Sequence, residues 1–249
     1  RKRIPVKNKA AFDLFSLLNL NEKKCVAIFC LFLYSKNMNP VPIIYENQEI
    51  IIINKKQGIA VQGGKNVSHP LDRELPLQLG YPVFLVHRLD QETGGLLIVA
   101  KSPVAAKKWT LLIGGKTVKK EYDALCIGIP QEKKGQLKTA VIEHGIEKSA
   151  LTYYEVIQSW KTGIYEMSHI HLTLATGRMH QIRIHLAKAG FPIAADDKYG
   201  NFKANKELKK LCGIKRLQLF SSKLTIPSTG SKSMTFTIPV NFAPYFEQE

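Results

Sequence analysis

The sequence predicts an α+β fold built on a largely antiparallel sheet, and three observations lead there. Candidate strands follow one another more often than they alternate with helices, which is not the order of a doubly wound parallel sheet. Residues 83–86 (Val-Phe-Leu-Val) and 96–100 (Leu-Leu-Ile-Val-Ala) are unbroken apolar runs, as expected of strands buried on both faces. Ile170, Leu172 and Leu174 instead alternate with His169, His171 and Thr173, the period-two pattern of a half-exposed strand.

The elements follow in chain order. Pro42-Ile-Ile-Tyr-Glu and residues 50–55 flank the polar Asn47-Gln-Glu and read as two short strands around a turn. The two apolar runs come next as strands. Residues 103–113 read as a helix with Pro103 in its first turn, where a missing N–H removes no helical bond. Tyr122 lies at the start of a further strand, and residues 151–157, 170–174, 217–226 and 234–240 add others. A second helix spans 179–189 and closes at Gly190, the residue type suited to a helix C-terminal cap.

With 249 residues, 45% hydrophobic and 22% charged, the composition is that of a globular chain, which excludes wholesale disorder. A core of this size needs no disulfide or metal staple. Lys and Arg outnumber Asp and Glu by 36 to 20, a net charge of +16. That excess favours a polyanion as partner, either nucleic acid or an anionic membrane face. Residues 1–37 carry +6 and the other 212 carry +10. The sheet pattern begins just after Met38, the first methionine, so 1–37 reads as a segment outside the core and 38–249 as the folded domain. Cys25, Cys30, Cys126 and Cys212 form no CxxC pair and read as buried, reduced thiols of a cytoplasmic protein. The longest apolar run, residues 25–34, falls short of the roughly 20 residues that span a bilayer. No small-x-small cleavage site follows it. No membrane partner is expected.

Two decoys drop out. Residues 110–117 end in Gly-Gly-Lys-Thr like a phosphate-binding loop, but Thr110 stands where that loop needs glycine. No nucleotide cofactor is expected. Seven histidines raise the question of a metal. His169 and His171 share a strand face with no carboxylate expected nearby, and His180 and His185 are five apart, off a single helix face. Hydrogen-bonded or solvated histidines, and no metal, are expected.

Chemistry concentrates in three segments. Residues 86–99 place His87, Arg88, Asp90 and Thr93 in a loop between two apolar strands, a rigid support for polar side chains. A lone aspartate there reads as a turn former. Residues 119–128 hold Tyr122, by itself a core tyrosine. Residues 175–186 lead from Gly177 and Arg178 into a helix bearing Gln181 and Arg183. Taken singly, Arg183 reads as a surface residue. Together the segments resemble the RluA family of pseudouridine synthases. His87-Arg-Leu-Asp-Gln-Glu-Thr-Gly-Gly matches its HRLDxxTSG motif, Lys120-Glu-Tyr122-Asp-Ala124 its tyrosine strand, and residues 177–185 its GRxHQIRxH motif. Asn54-Lys-Lys-Gln-Gly is similar to its NKPxG turn, and residues 191–200 and 216–222 to later segments. Gly94 departs from the motif's serine, an expected loosening of the loop, and Lys56 stands where proline is usual.

The resemblance implies a bent, mainly antiparallel mixed sheet with flanking helices and a cleft across its middle. It implies Asp90 as the catalytic aspartate, Arg183 as its cationic partner and Tyr122 as the ring stacking on the target uracil. Arg88 would help displace the base and fill the gap it leaves. His87, Thr93, Arg178, His180 and Gln181 would contact substrate, with Leu219, a looser match, as an apolar wall. The implied activity isomerises uridines of ribosomal or transfer RNA with no cofactor, in a protein expected to be a monomer. No RNA-binding domain of the S4 type is recognisable in residues 1–37. Two rivals fit less well. A base-releasing hydrolase usually needs two carboxylates, and Glu92, two residues from Asp90, is free to point away. A silent RNA binder would not need Asp90, Tyr122 and Arg183 together.

Overall fold

Asn47 sets the start of the sheet: its Oδ1 accepts the N–H groups of Glu49 and Ile50, both at 2.8 Å. That closed side-chain turn folds β1 (Ile43–Glu46) back antiparallel on β2 (Ile50–Lys55). The computed structural model describes residues 40–64, 67–143, 145–228 and 232–246. The expectations for residues 1–37, including the 25–34 run, Cys25 and Cys30, lie outside the described residues.

The chain continues through α1 (Leu71–Leu79), β3 (Phe84–Leu85), β4 (Gly94–Ala100), α2 (Pro103–Gly114) and β5 (Lys119–Ile127). Then come β6 (Lys134–Leu137), β7 (Val141–Glu143), β8 (Ile146–Lys148), β9 (Thr152–Thr162) and β10 (Tyr165–Leu174). It ends with α3 (Gln181–Lys188), α4 (Phe202–Leu211), β11 (Leu219–Ile226), β12 (Met234–Thr237) and a short 3-10 turn at Ala243–Tyr245. One sheet runs β1-β2-β4-β11-β5-β10-β9-β6, with β3 on β4 and β12 on β11; β7 and β8 pair separately. The β4–β11 pairing is parallel and the others are antiparallel. The fold is therefore α+β with a mixed, mainly antiparallel sheet.

The apolar run in β4 is wholly inaccessible, and its alternate residues feed two cores. Leu97 and Val99 join Ile51, Ile53, Leu71, Ile182 and Leu186 on one face. Leu96, Ile98 and Ala100 join Ile50, Ile52, Ala105 and Trp109 on the other. A third cluster collects Leu125, Met167, Ala204 and Leu208. The 83–86 run is strand only at Phe84 and Leu85, both half-buried. It pairs with the far end of β4, whose Gly94 end pairs with β11 on that edge. Cys126 is buried, whereas Cys212 is only half-buried, with its Sγ 3.5 Å from Thr162 Oγ1. Among the described residues, no helix is long and apolar enough to cross a membrane.

Candidate active site

The loop between β3 and β4 is held by its backbone. Thr93 N–H donates to Asp90 O, Gly58 N–H to Gln91 O and Gln57 Nε2 to Glu92 O, at 2.9–3.1 Å. Lys55, 1% exposed, donates its ammonium to Gln91 O (3.0 Å), Ile59 O (2.8 Å) and Lys56 O (3.1 Å). Burial pulls its pKa down to about 8 against the opposing charges of Glu92 and Asp90. The Asn54-Lys-Lys-Gln-Gly turn is thus the clamp on the aspartate loop, a role that sequence reasoning missed. Gly94 and Gly95 seat that loop on β11. A Cβ on Gly94 would lie 3.0 Å from the Phe220 ring, and one on Gly95 (φ +109) only 2.3 Å from Ser221 O. Gly94 does not loosen the loop; it is buried at the start of β4, and Phe220 fills the space a side chain would take.

His87, Arg88, Asp90, Thr93, Tyr122, Arg178, His180, Gln181, Arg183 and Leu219 all line one cavity of about 290 Å³, so the structure brings every sequence-predicted site residue together. Their roles in holding it differ. His87 Nε2 accepts the Ile98 N–H at 2.9 Å, which leaves the proton on Nδ1, and burial beside Lys120 drives its pKa down to about 3. Gln181 is saturated: Oε1 accepts from Thr176 Oγ1 and Arg178 N–H, and Nε2 donates to Leu151 O and Thr152 Oγ1. It ties the loop after β10 to β9 and has no group left for a ligand. Thr93 Oγ1 is buried with no partner among the described residues. Arg88 is exposed at the rim.

Tyr122 is buried, and burial together with the Asp90 charge raises its pKa, so the ring keeps its proton. Leu219 is buried beside it in the same core. His180 begins α3 in the left-handed region (φ 54). Its Nδ1 lies 3.0 Å from Tyr199 Oη and its Nε2 3.8 Å from Asp90 Oδ1; burial lowers its pKa despite that carboxylate.

Arg183 is no surface residue: it is 5% exposed. Its principal partner is Asp196, in a bidentate pair at 2.7 and 2.8 Å, with Asp197 at 3.1 Å. Its Nη1 stands 4.0 Å from Asp90 Oδ2. Burial opposes the charge, but the hydrogen bonds and charge of Asp196, with the charges of Asp90 and Asp197, raise its pKa overall. The expected Asp90–Arg183 pairing is therefore a long contact, with the guanidinium fixed from behind. Asp196 was visible only as part of the Phe191-Pro-Ile-Ala-Ala-Asp-Asp segment. Glu92 does not line the cavity.

A second polar cluster corrects the expectation for His169 and His171. Asp123 Oδ1 lies 2.6 Å from His169 Nε2 and 3.3 Å from His171 Nδ1, Glu121 Oε1 lies 3.3 Å from His171 Nε2, and Ser222 donates to Asp123. Carboxylates are thus adjacent, brought over by the β5–β10 register that sets His171 opposite Asp123. Among the described residues no group of side chains forms a metal site.

The fold is that of the pseudouridine synthases. A solved structure of human RNA Pseudouridylate Synthase Domain Containing 1 superposes at TM-score 0.68 and 24% identity, over 83% of this chain and 88% of that one. The chain belongs to the RNA pseudouridylate synthase family, whose model matches residues 49–188. It is 37% identical to Ribosomal large subunit pseudouridine synthase C of Rickettsia bellii over 68% of this chain and 60% of that protein. With the protein of that name from Haemophilus influenzae it shares 36% identity over 79% of this chain and 66% of the relative. The chain spans about three fifths of the length of the curated relatives it matches.

Proposed function

We propose that this protein isomerises uridine to pseudouridine in RNA, that large-subunit ribosomal RNA is its substrate, and that Asp90 is the catalytic residue. One observation carries the reading: a carboxylate on a clamped loop sits 4.0 Å from a buried guanidinium that another aspartate already holds, at an open cavity. Such a carboxylate has a cation beside it and coordination to spare. The names of the relatives favour ribosomal over transfer RNA.

The reaction breaks the N1–C1′ bond, turns the uracil and joins C5 to C1′, so no electrons or groups enter from outside. A carboxylate begins it by attacking C1′ or by removing the 2′ proton, and both routes need the ionised form; the Arg183 guanidinium stands 4.0 Å from it. The nucleotide must leave its stack at a cost of about a few kcal/mol. Stacking on Tyr122 returns about 1–3 kcal/mol, with Leu219 as the opposing apolar surface and Arg88 at the rim to enter the vacated position. His87 stays neutral and supports the loop. Among the described residues the cavity is lined by a single carboxylate, Asp90, which argues against a hydrolase working by paired acid and base. The isomerisation itself calls for no cofactor, and we read the protein as a cytoplasmic monomer.

Incubation with unmodified large-subunit ribosomal and transfer RNA transcripts, followed by pseudouridine mapping, tests the proposal. One or a few defined sites in the ribosomal transcript are expected. Release of free uracil, or pseudouridine formation undiminished in Asp90→Asn, overturns it. A chain beginning at Met38 is expected to retain this activity.

A further inference from the structure

Lys120 lies on β5, two residues before Tyr122 and so on the same face of the strand. It lines the cavity that holds Asp90 and also a second cavity of about 320 Å³ directly beside it. The second cavity is formed by the end of α2 and the stretch after β10, with Lys116, Lys119 and Arg178 on its walls and no carboxylate in its lining. The Lys120 ammonium packs against the chain at Gly177, where a Cβ would come within 3.3 Å of Nζ.

Among the described residues Lys120 makes no hydrogen bond and no ion pair. This sets it apart from its neighbours. Lys119 pairs with Glu121 at 2.9 Å, Lys223 reaches the same carboxylate at 3.4 Å, and Lys55 satisfies three carbonyls. Lys120 is half-buried, and a lysine partly withdrawn from water without a partner is costly to the fold; no carboxylate among the described residues pairs with it.

We infer that Lys120, flanked by Lys116 and Arg178, is the binding site for the phosphodiester next to the flipped uridine, and that the adjoining trough carries the RNA strand away from the active site. Rested on the proposed activity, this makes Lys120 a positioning residue. A phosphate held at the junction of the two cavities fixes the sugar over Asp90 whatever base follows, because a phosphate carries no sequence information.

The test compares the wild type, Lys120→Met and Lys120→Arg on an unmodified large-subunit ribosomal RNA transcript across a series of salt concentrations. Loss of one phosphate contact reduces the log–log salt slope of binding by about 0.7–0.9. KM is expected to rise about tenfold with kcat within about threefold, and Lys120→Arg to restore both slope and KM. Lys120→Met should melt no lower than the wild type, because no internal partner is orphaned. An unchanged salt slope, or a fall in kcat at constant KM, overturns the phosphate site and places Lys120 against the base instead. A wild type that binds this RNA but forms no pseudouridine in it overturns the proposed activity, while the salt slopes still decide the phosphate site.

Discussion

Asp90 and Asp123 are two aspartates with histidines beside them, on opposite sides of β5, and they are treated in opposite ways. Asp123 is saturated: His169 at 2.6 Å, His171 at 3.3 Å and the Ser222 hydroxyl together take its oxygens. Burial would raise its pKa, but those three bonds hold it well below the ordinary carboxylate value. Among the described residues the Asp90 carboxylate has only long contacts, 3.8 Å to His180 and 4.0 Å to Arg183. Its neighbours are bonded elsewhere, Arg183 to Asp196 and His180 to Tyr199. A carboxylate whose lone pairs are consumed by the fold stabilises the fold. One whose partners are kept at arm's length is available to something else.

Exchanging the two acids for amides breaks the comparison most sharply. Asp90→Asn is expected to lower turnover by at least about a thousandfold, within the span that one acid–base group supplies, without shifting the melting temperature. Asp123→Asn is expected to do the reverse, costing about 1–3 kcal/mol of stability, or roughly 2–4 °C of melting temperature per kcal/mol. Its turnover below the melt should remain near normal. Turnover assays and thermal melts of both variants decide the matter; equal effects on both readouts would sink the distinction.

Arg183→Met sharpens it, because this residue belongs to both categories. It leaves Asp196 buried without its cation, which costs about 3–5 kcal/mol, and it removes the charge facing Asp90. Both the melt and kcat should fall. In the Asp90→Asn background the same change should lower stability fully but activity hardly at all, as for residues acting as one unit.

The smallest expected effect lies in pH. The hydrogen bond to Asp123 raises the pKa of His171 above its ordinary 6.5. That contribution is full below about pH 6.5 and is lost as pH rises through the raised value. Burial lowers the pKa of His180 below 6.5, so its contribution is lost as pH falls below about 6.5, where the unfolded chain takes up the proton first. His171→Gln should therefore steepen the decline of melting temperature on the acid side, and His180→Gln should flatten it. Melts from pH 5 to 8 would show whether the two slopes change in opposite directions.

What the sequence disclosed follows the same division. The unbroken apolar run in β4 and the half-exposed pattern of β10 announce burial directly, because both depend on side chains within one strand. Asp90, Tyr122 and Arg183 were legible through contiguous motifs. Partners brought together by distant segments were not: Asp123 meets His169 and His171 only through the β5–β10 register, and Lys55 reaches Gln91 O across 36 positions. Helix α1 was hidden by Pro76 in its interior. Helix α4 went unread although its signals were local: Asn201 caps it through Ala204 N–H, and its buried Ala204 and Leu208 lie four residues apart on one face.

The parallel junction of β4 with β11 has a consequence for how the chain reaches this state. It pairs Gly94 and Gly95 with Phe220 and Ser221, about 126 positions along the chain, whereas β9–β10 and β1–β2 close as local hairpins. Loops that long are entropically expensive to close, and contacts so remote in sequence form slowly. Asp90 enters the cavity beside β4, on one side of that seam, while Tyr122 and Leu219 stand on strands of the other. The local hairpins can therefore exist before the site does. Catalytic competence is then the last property a refolding molecule acquires, and regain of turnover should trail regain of secondary structure in time.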